Sequence, residues 1–234
     1  MHPEVSSFAN RHFYNGQLCP VPLPHQTSTL PYNTYNKASA LQALIATHRT
    51  AFINCPVPKQ EERFKTNSHE AQLCAMVVKN IIELYRTNGI PYDAHQTIGI
   101  ISPFRGQGAL IRNELSLLDM EEYTQHISID TVERYQGSQR DIIIYCTTIT
   151  SPSQMELIVE AIDPTSPIVN QPIDRKLNVA LTRARMQLFV IGIPQVLDTD
   201  CNYRALINEL PQYLHPTAEY CNQSSNNVPK NSGR

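Results

Sequence analysis

A basic segment near residue 180 carries the side chains best suited to chemistry. Arg175, Lys176, Arg183 and Arg185 stand close together with one acid, Asp174, in a chain of net charge -2. Such a cluster is often a solvated helix face. Here the last two arginines alternate with alanine and leucine, which places at least one guanidinium near packed small residues. A guanidinium fixed in this way suits bidentate contact with a phosphate.

Two further segments place polar side chains directly after apolar runs. The first begins at Ser102 and includes Phe104, Arg105 and Gln107, and the second covers residues 130–137. Ligands of open parallel sheets bind beyond the strand ends. We therefore expect these two segments and the basic segment to share one edge of a sheet.

The sequence contains no phosphate loop of its own. The pattern G-x-x-x-x-G-K-[ST] is missing, and the only closely spaced glycines are Gly106 and Gly108. They lack the third glycine and the later acidic residue of a dinucleotide-binding fold. The six cysteines form no C-x-x-C, and the eight histidines form no H-x-H or H-x-x-x-H pair. We therefore predict no metal site.

Apolar periodicity predicts alternating helices and strands. Continuous rather than alternating apolar strands indicate burial on both faces, and their alternation with helices predicts an α/β fold with a mostly parallel sheet. Residues 17–34 and 151–172 are predicted to be long loops. The predicted helices cover residues 4–15, 67–86, 106–118, 174–186 and 203–214, and the strands cover 51–55, 98–102, 127–130, 141–147 and 187–191.

The composition excludes several classes of protein. The 234 residues are 41% hydrophobic and 17% charged, which indicates a globular chain rather than a disordered one. Because the net charge is negative, any contact with nucleic acid must be local rather than a global polybasic effect. No apolar run is long enough for a membrane span, and the first residues do not resemble a signal peptide. We expect no membrane partner and a cytoplasmic location.

Three motifs stand in the order found in one family of motor proteins. Residues 98–107 (IGIISPFRGQ) resemble helicase motif IV, residues 128–141 (SIDTVERYQGSQRD) resemble motif V, and residues 177–185 (LNVALTRAR) resemble motif VI. The first residues, MHPEVSSF with FYNGQL at 13–18, are similar to the segment after motif III. Together they resemble the superfamily 1B RNA/DNA helicases over roughly residues 1–195.

This resemblance implies a second RecA-like lobe with three layers and without its own phosphate loop. We expect this lobe to cover residues 1–213 and a flexible polar tail to cover residues 214–234. ATP would lie between this lobe and an N-terminal RecA-like lobe that carries the Walker A and B motifs and the Mg²⁺ ligands. The chain is expected to begin after that lobe, and so not to hydrolyse ATP alone.

The resemblance also implies roles for individual residues. Arg183 would be the arginine finger that reaches the γ-phosphate. Thr131 also fits a simple helix cap, and Glu133 could contact the nucleotide or brace Arg134. Gln139 replaces a common glutamate of motif V. The expected nucleotide-binding residues are Phe104, Arg105, Gln107, Glu133, Gln136 and Gly137, and the expected nucleic-acid-binding residues are Ser102, Thr131 and Arg185.

The function that follows is the C-terminal motor lobe of an ATP-dependent helicase or translocase on single-stranded DNA or RNA. The alternative is a non-catalytic nucleic-acid-binding or protein-binding module that keeps the helicase-lobe fold. A Walker A sequence upstream in the same reading frame would distinguish the two.

Overall fold

The computed structural model describes residues 1–58, 65–159 and 174–214. Its centre is a six-stranded sheet in the order β3-β2-β4-β5-β1-β6, and every neighbouring pair is parallel. The predicted α/β fold with a mostly parallel sheet is therefore confirmed. The strands are β1 (Thr50–Asn54), β2 (Ile98–Ile101), β3 (Ser128–Asp130), β4 (Arg140–Cys146), β5 (Ala184–Gly192) and β6 (Gln212–Leu214).

Helices cover both faces of this sheet. Cys146 and its neighbour Tyr145 point to opposite faces, because successive residues of a strand alternate. The Cys146 thiol lies beside Cys74 of α4, whereas the Tyr145 hydroxyl is 2.9 Å from that of Tyr203 on α9. In the described ranges the helices are α1 (Pro3–Phe13), α2 (Pro24–Thr27), α3 (Ala40–Thr47), α4 (Ser68–Thr87), α5 (Arg105–Ser116), α6 (Glu121–Thr124), α7 (Arg175–Leu181), α8 (Pro194–Leu197) and α9 (Cys201–Glu209), with a 3-10 helix at Pro152–Leu157.

The resulting three layers explain the continuous apolar strands. Helices α3, α4 and α5 pack side by side on one face, and α1 contacts α7 and α9 on the other. The residues of β2 are buried throughout. A strand that is covered on both faces gains from apolar side chains at every position, so no alternation is visible in its sequence.

Two predicted boundaries are wrong. The helix expected over residues 174–186 ends at Leu181, where the Thr182 hydroxyl bonds to the Asn178 carbonyl at 2.8 Å, and β5 begins at Ala184. The helix expected over 203–214 ends at Glu209. A three-residue edge strand, β6, follows it and pairs with β1.

Helix α3 was absent from the sequence-based prediction. Ser39 caps it by accepting a hydrogen bond from the Gln42 N–H at 3.3 Å, and its Leu41 and Ile45 are buried. The predicted tail lies outside the described residues apart from Leu214, and so do residues 160–172 of the predicted loop. None of the helices in the described ranges has both the length and the apolarity that a bilayer span requires.

Candidate functional site

The residues predicted for the site lie at two opposite edges of the sheet. Thr131 follows the carboxyl end of β3, and the Ser102 N–H after β2 donates to the Asp130 carbonyl at 3.1 Å. Arg183 precedes β5, and its carbonyl accepts the N–H of Arg140, the first residue of β4, at 3.1 Å. Since β4 has seven residues, the edges are about 20 Å apart. The expectation of one shared edge is wrong, because α7 returns the chain to the start of β5.

At the amino edge, Arg183 is a half-buried cation held by its own helix. Its Nε donates to the Val179 carbonyl at 3.0 Å, and Nη2 donates to the Thr182 hydroxyl at 3.0 Å. Burial lowers the pKa of the guanidinium, and the nearby Tyr14 phenol opposes that shift. Among the described residues no carboxylate pairs with it. The remaining N–H groups of this cation are suited to an anion that arrives from outside.

The neighbouring Arg185 differs from Arg183 because it has an acidic partner. Its Nε lies 2.9 Å from Asp141 Oδ1, and Nη2 donates to Gln96 at 3.5 Å. Burial raises the pKa of Asp141, and the Arg185 charge opposes this shift. The structure places Arg185 at the amino edge, away from Ser102 and Thr131. The three residues predicted to bind nucleic acid are therefore not brought together, and the role of Arg185 stays a prediction.

The segment after β3 connects the two edges. It starts at Thr131 on the carboxyl edge and ends at Arg140 on the amino edge. Residues 132–137 form successive turns, so the alternative in which Thr131 caps a helix is wrong. Buried Tyr135 anchors the segment by donating to the Ser128 carbonyl at 2.8 Å. The exposed residues of the segment include Glu133, Gln136 and Gly137.

Arg134 pairs with Asp130 rather than with Glu133 in the structure. Its Nη1 lies 3.7 Å from Asp130 Oδ2, so Asp130 is the acid that pairs with Arg134. Gly137 has a φ of +85°, a left-handed conformation that a side chain would strain. This glycine turns the chain toward β4.

At the carboxyl edge, Phe104 and Arg105 begin α5. Phe104 is half-buried, with Lys65 Nζ 5.7 Å from its ring centroid, and Arg105 is exposed. The Ser102 hydroxyl is buried, lies 3.0 Å from the Thr148 hydroxyl, and accepts the Phe104 N–H at 3.4 Å. The buried Ser102 hydroxyl thus positions the loop, and its contact with nucleic acid stays a prediction.

Gln107, which is predicted to contact a nucleotide, is held inside the lobe. Its side chain is fully buried, and both of its polar atoms bond to the backbone of Asn67. The Asn67 N–H donates to Gln107 Oε1 at 2.8 Å, and Gln107 Nε2 donates to the Asn67 carbonyl at 2.9 Å. Gln107 therefore ties the start of α5 to the start of α4. The two strand-end residues Phe104 and Arg105, expected at the nucleotide, likewise lie at the edge opposite Arg183.

Sequence reasoning missed the position of the Glu70 carboxylate, which lies buried at the carboxyl edge of the sheet. Glu70 accepts the Thr148 N–H at 2.8 Å and the Thr147 hydroxyl at 3.2 Å, and it is fully buried. Thr148 has a φ of +72°, an unusual conformation for a β-branched residue. The capping pair Asn67 and Glu70 is visible in the sequence, and the Glu70 N–H does donate to Asn67 Oδ1 at 3.1 Å. Nothing in the sequence indicates that its carboxylate reaches β4.

These elements define a class of protein. A three-layer fold whose all-parallel sheet carries helicase-like segments at its two edges is a RecA-like domain of the superfamily 1B helicase type. More particularly, the chain belongs to the AAA_12 family, described as an AAA domain, whose model matches residues 1–195.

Curated relatives agree with this assignment. The chain is 29% identical over 214 residues to the regulator of nonsense transcripts 1 of Dictyostelium discoideum, covering 89% of the chain and 14% of that protein. It is 26% identical over 210 residues to helicase SEN1 of Saccharomyces cerevisiae, covering 89% of the chain and 8% of that protein. A third relative, the DNA polymerase alpha-associated DNA helicase A of the same yeast, is 32% identical over 155 residues, or 64% of the chain and 18% of that protein. The chain thus spans under a fifth of each of these relatives.

Proposed function

We propose that the chain is the second RecA-like lobe of an ATP-dependent helicase or translocase that acts on single-stranded DNA or RNA. The names of the relatives and the family support this proposal. Because the sequence holds no phosphate loop, an N-terminal RecA-like lobe with Walker A and B motifs would supply it. The Mg²⁺ ligands would also lie on that lobe. In the described ranges no three His, Cys, Asp or Glu side chains gather closely enough to hold a metal ion.

The half-buried guanidinium of Arg183 is the observation that carries the proposal. A buried cation is normally paired, since removing its charge from water is costly. Arg183 has hydrogen bonds to neutral groups, and no carboxylate of the described residues pairs with it. A phosphate would supply the negative charge that pairs with this guanidinium. The residues present therefore fit a nucleotide, with Arg183 as the arginine finger.

Bound ATP would supply the γ-phosphate and its leaving group. The Arg183 cation would stabilise the negative charge on the oxygens of the transferring phosphate. Arg183 would lie on the phosphate side at the amino edge. Gln136 and Gly137, which precede the start of β4, would line the same side, with Glu133 exposed nearby. The Arg185–Asp141 ion pair would hold the turn that presents Arg183.

Nucleic acid would lie along the opposite, carboxyl edge. Phe104 offers a ring on which a base can stack, and Arg105 and Thr131 offer groups for backbone phosphates. Stacking and phosphate contact read no sequence, which fits a motor that moves along any strand. Residues 131–139 run from this edge to the nucleotide side and would connect the two sites.

The chain alone is expected to show no ATP hydrolysis, with or without single strands. Its sequence holds no phosphate loop, and the Mg²⁺ ligands that phosphoryl transfer requires are proposed to lie on the other lobe. Steady-state phosphate release by the purified 234-residue protein measures this directly. Turnover above background that survives Arg183→Ala would contradict the assignment of this chain as the finger lobe.

Phe104→Ala is expected to weaken binding of a fluorescently labelled single strand of one repeated base, such as poly(dT), about tenfold in the complete protein. The loss of one stacked base is worth about 1 to 3 kcal/mol. Affinity should also fall as salt rises, because phosphate contacts release counterions. Fluorescence anisotropy at several salt concentrations measures both effects.

The matched control is Leu117→Ala, which removes an exposed apolar side chain just after the other end of α5. It should leave the affinity unchanged. Equal affinities of the Phe104→Ala protein and this control would place the strand elsewhere and overturn the proposed track.

A further inference from the structure

A hydrogen bond joins the end of α1 to the helix that carries the arginine turn. Asn178 Nδ2 on α7 donates to the Tyr14 hydroxyl at 3.0 Å. Tyr14 directly follows α1, and the buried side chains of Phe8 and Phe13 fix that helix against the rest of the lobe. The residue after α1 is therefore anchored to the lobe through its helix, while Tyr14 itself is 36% exposed.

From Asn178 a chain of contacts leads to the Arg183 guanidinium. The Asn178 carbonyl accepts the Thr182 hydroxyl at 2.8 Å. That hydroxyl oxygen accepts Arg183 Nη2 at 3.0 Å, and the Val179 carbonyl accepts Arg183 Nε at 3.0 Å. Every partner of the guanidinium among the described residues thus belongs to the last turn of α7 or directly follows it.

The Asn178 side chain depends on Tyr14 for its orientation. Its Oδ1 is buried and has no hydrogen-bond partner among the described residues, so the bond to Tyr14 holds the amide. Tyr14 itself accepts in that bond, and its own O–H hydrogen remains available. The phenol is also close enough to Arg183 to act electrostatically on the pKa of the guanidinium.

We propose that Tyr14 is a positioning residue for Arg183, acting through Asn178 and the last turn of α7. This inference rests on the proposed function, in which Arg183 is the arginine finger. A catalytic cation stabilises a transition state fully only when it is held in place before the reaction. Loosening the last turn of α7 would leave ATP bound by the other lobe and would misplace the finger.

The test is Tyr14→Phe in the complete protein, which removes one hydroxyl and keeps the ring. We expect kcat for ATP hydrolysis to fall about two- to tenfold, the range expected for one hydrogen bond, while KM for ATP stays unchanged. The control is Tyr92→Phe, which removes a hydroxyl that donates to the Tyr123 carbonyl at 3.1 Å, away from α7. It should keep the normal kcat.

A double-mutant cycle separates positioning from a general loss of stability. If Tyr14 acts through Arg183, then Tyr14→Phe should have no further effect on kcat in an Arg183→Ala protein. An unchanged kcat in Tyr14→Phe, or an equal further loss in the Arg183→Ala background, would overturn the inference. An unchanged kcat in Arg183→Ala alone would instead overturn the proposed function. Thermal melts confirm that each variant is folded.

Discussion

Arg183→Ala is expected to lower kcat for ATP hydrolysis about 10³-fold or more in the complete protein, while ATP binding changes far less. An arginine finger is worth about 10³ to 10⁵ in rate because it acts on charge that develops during transfer. Arg183→Lys should also impair turnover, since a point charge on a flexible stem does not reproduce the planar guanidinium. Steady-state turnover with saturating single strands, together with nucleotide binding by equilibrium titration, measures the two effects separately.

A matched arginine on another helix provides the control. Arg204 on α9 is exposed and pairs with Asp198 at 2.9 Å, so Arg204→Ala removes an arginine without touching α7. Its kcat should be normal. Turnover within twofold of the unmodified protein in a folded Arg183→Ala variant would show that Arg183 belongs to an inert surface, and the non-catalytic binding module would then be the better account.

Glu70→Ala is expected to destabilise the lobe by about 3 kcal/mol. The carboxylate is fully buried and accepts the Thr148 N–H and the Thr147 hydroxyl. Its loss leaves these donors unsatisfied beside a cavity, and each unsatisfied buried group costs about 1 to 3 kcal/mol. Urea unfolding followed by circular dichroism on the purified chain measures the free energy of unfolding.

Glu70→Gln refines this prediction because the amide keeps the shape and one acceptor oxygen. It should cost less than Glu70→Ala. Glu121→Ala, at an exposed position of α6, is the control and should change stability by less than about 0.5 kcal/mol. If Glu70→Ala unfolds at the same urea concentration as Glu121→Ala, the assigned network at the end of β4 is wrong.

The sequence predicted the sheet well because its signals were local. The β-branched run of β4 and the Asn67 cap of α4 each depend on residues that are adjacent or one turn apart, so a pattern detects them. Helix α3 escaped detection because it is a short helix of eight residues. The end of α7 was misplaced because no glycine or proline marks it in the sequence. The structure shows instead a hydrogen bond from the Thr182 hydroxyl to the Asn178 carbonyl at this end.

The site was harder to predict because it depends on the direction in which the chain runs through each strand. Whether a loop follows or precedes a strand decides the sheet edge at which it lies. Because the predicted helix ran five residues too far, to Met186 instead of Leu181, it hid the fact that Arg183 and Phe104 lie at opposite edges. Gln107 and Ser102 have side chains typical of ligand contact, yet both are buried and bonded within the lobe. Only their tertiary contacts, of Gln107 with Asn67 and of Ser102 with Thr148, show this. Tyr14 stands 164 residues from Asn178, a separation that no local pattern bridges.

The most direct measurement is a structure of the complete protein with ADP, Mg²⁺ and aluminium fluoride, a mimic of the transferring phosphate. The account predicts the mimic at the amino edge, within hydrogen-bond distance of the Arg183 guanidinium and beside Gly137, with Phe104 and Arg105 free of nucleotide. A nucleotide bound at the carboxyl edge against Phe104 and Arg105, with Arg183 remote from its phosphates, would contradict it.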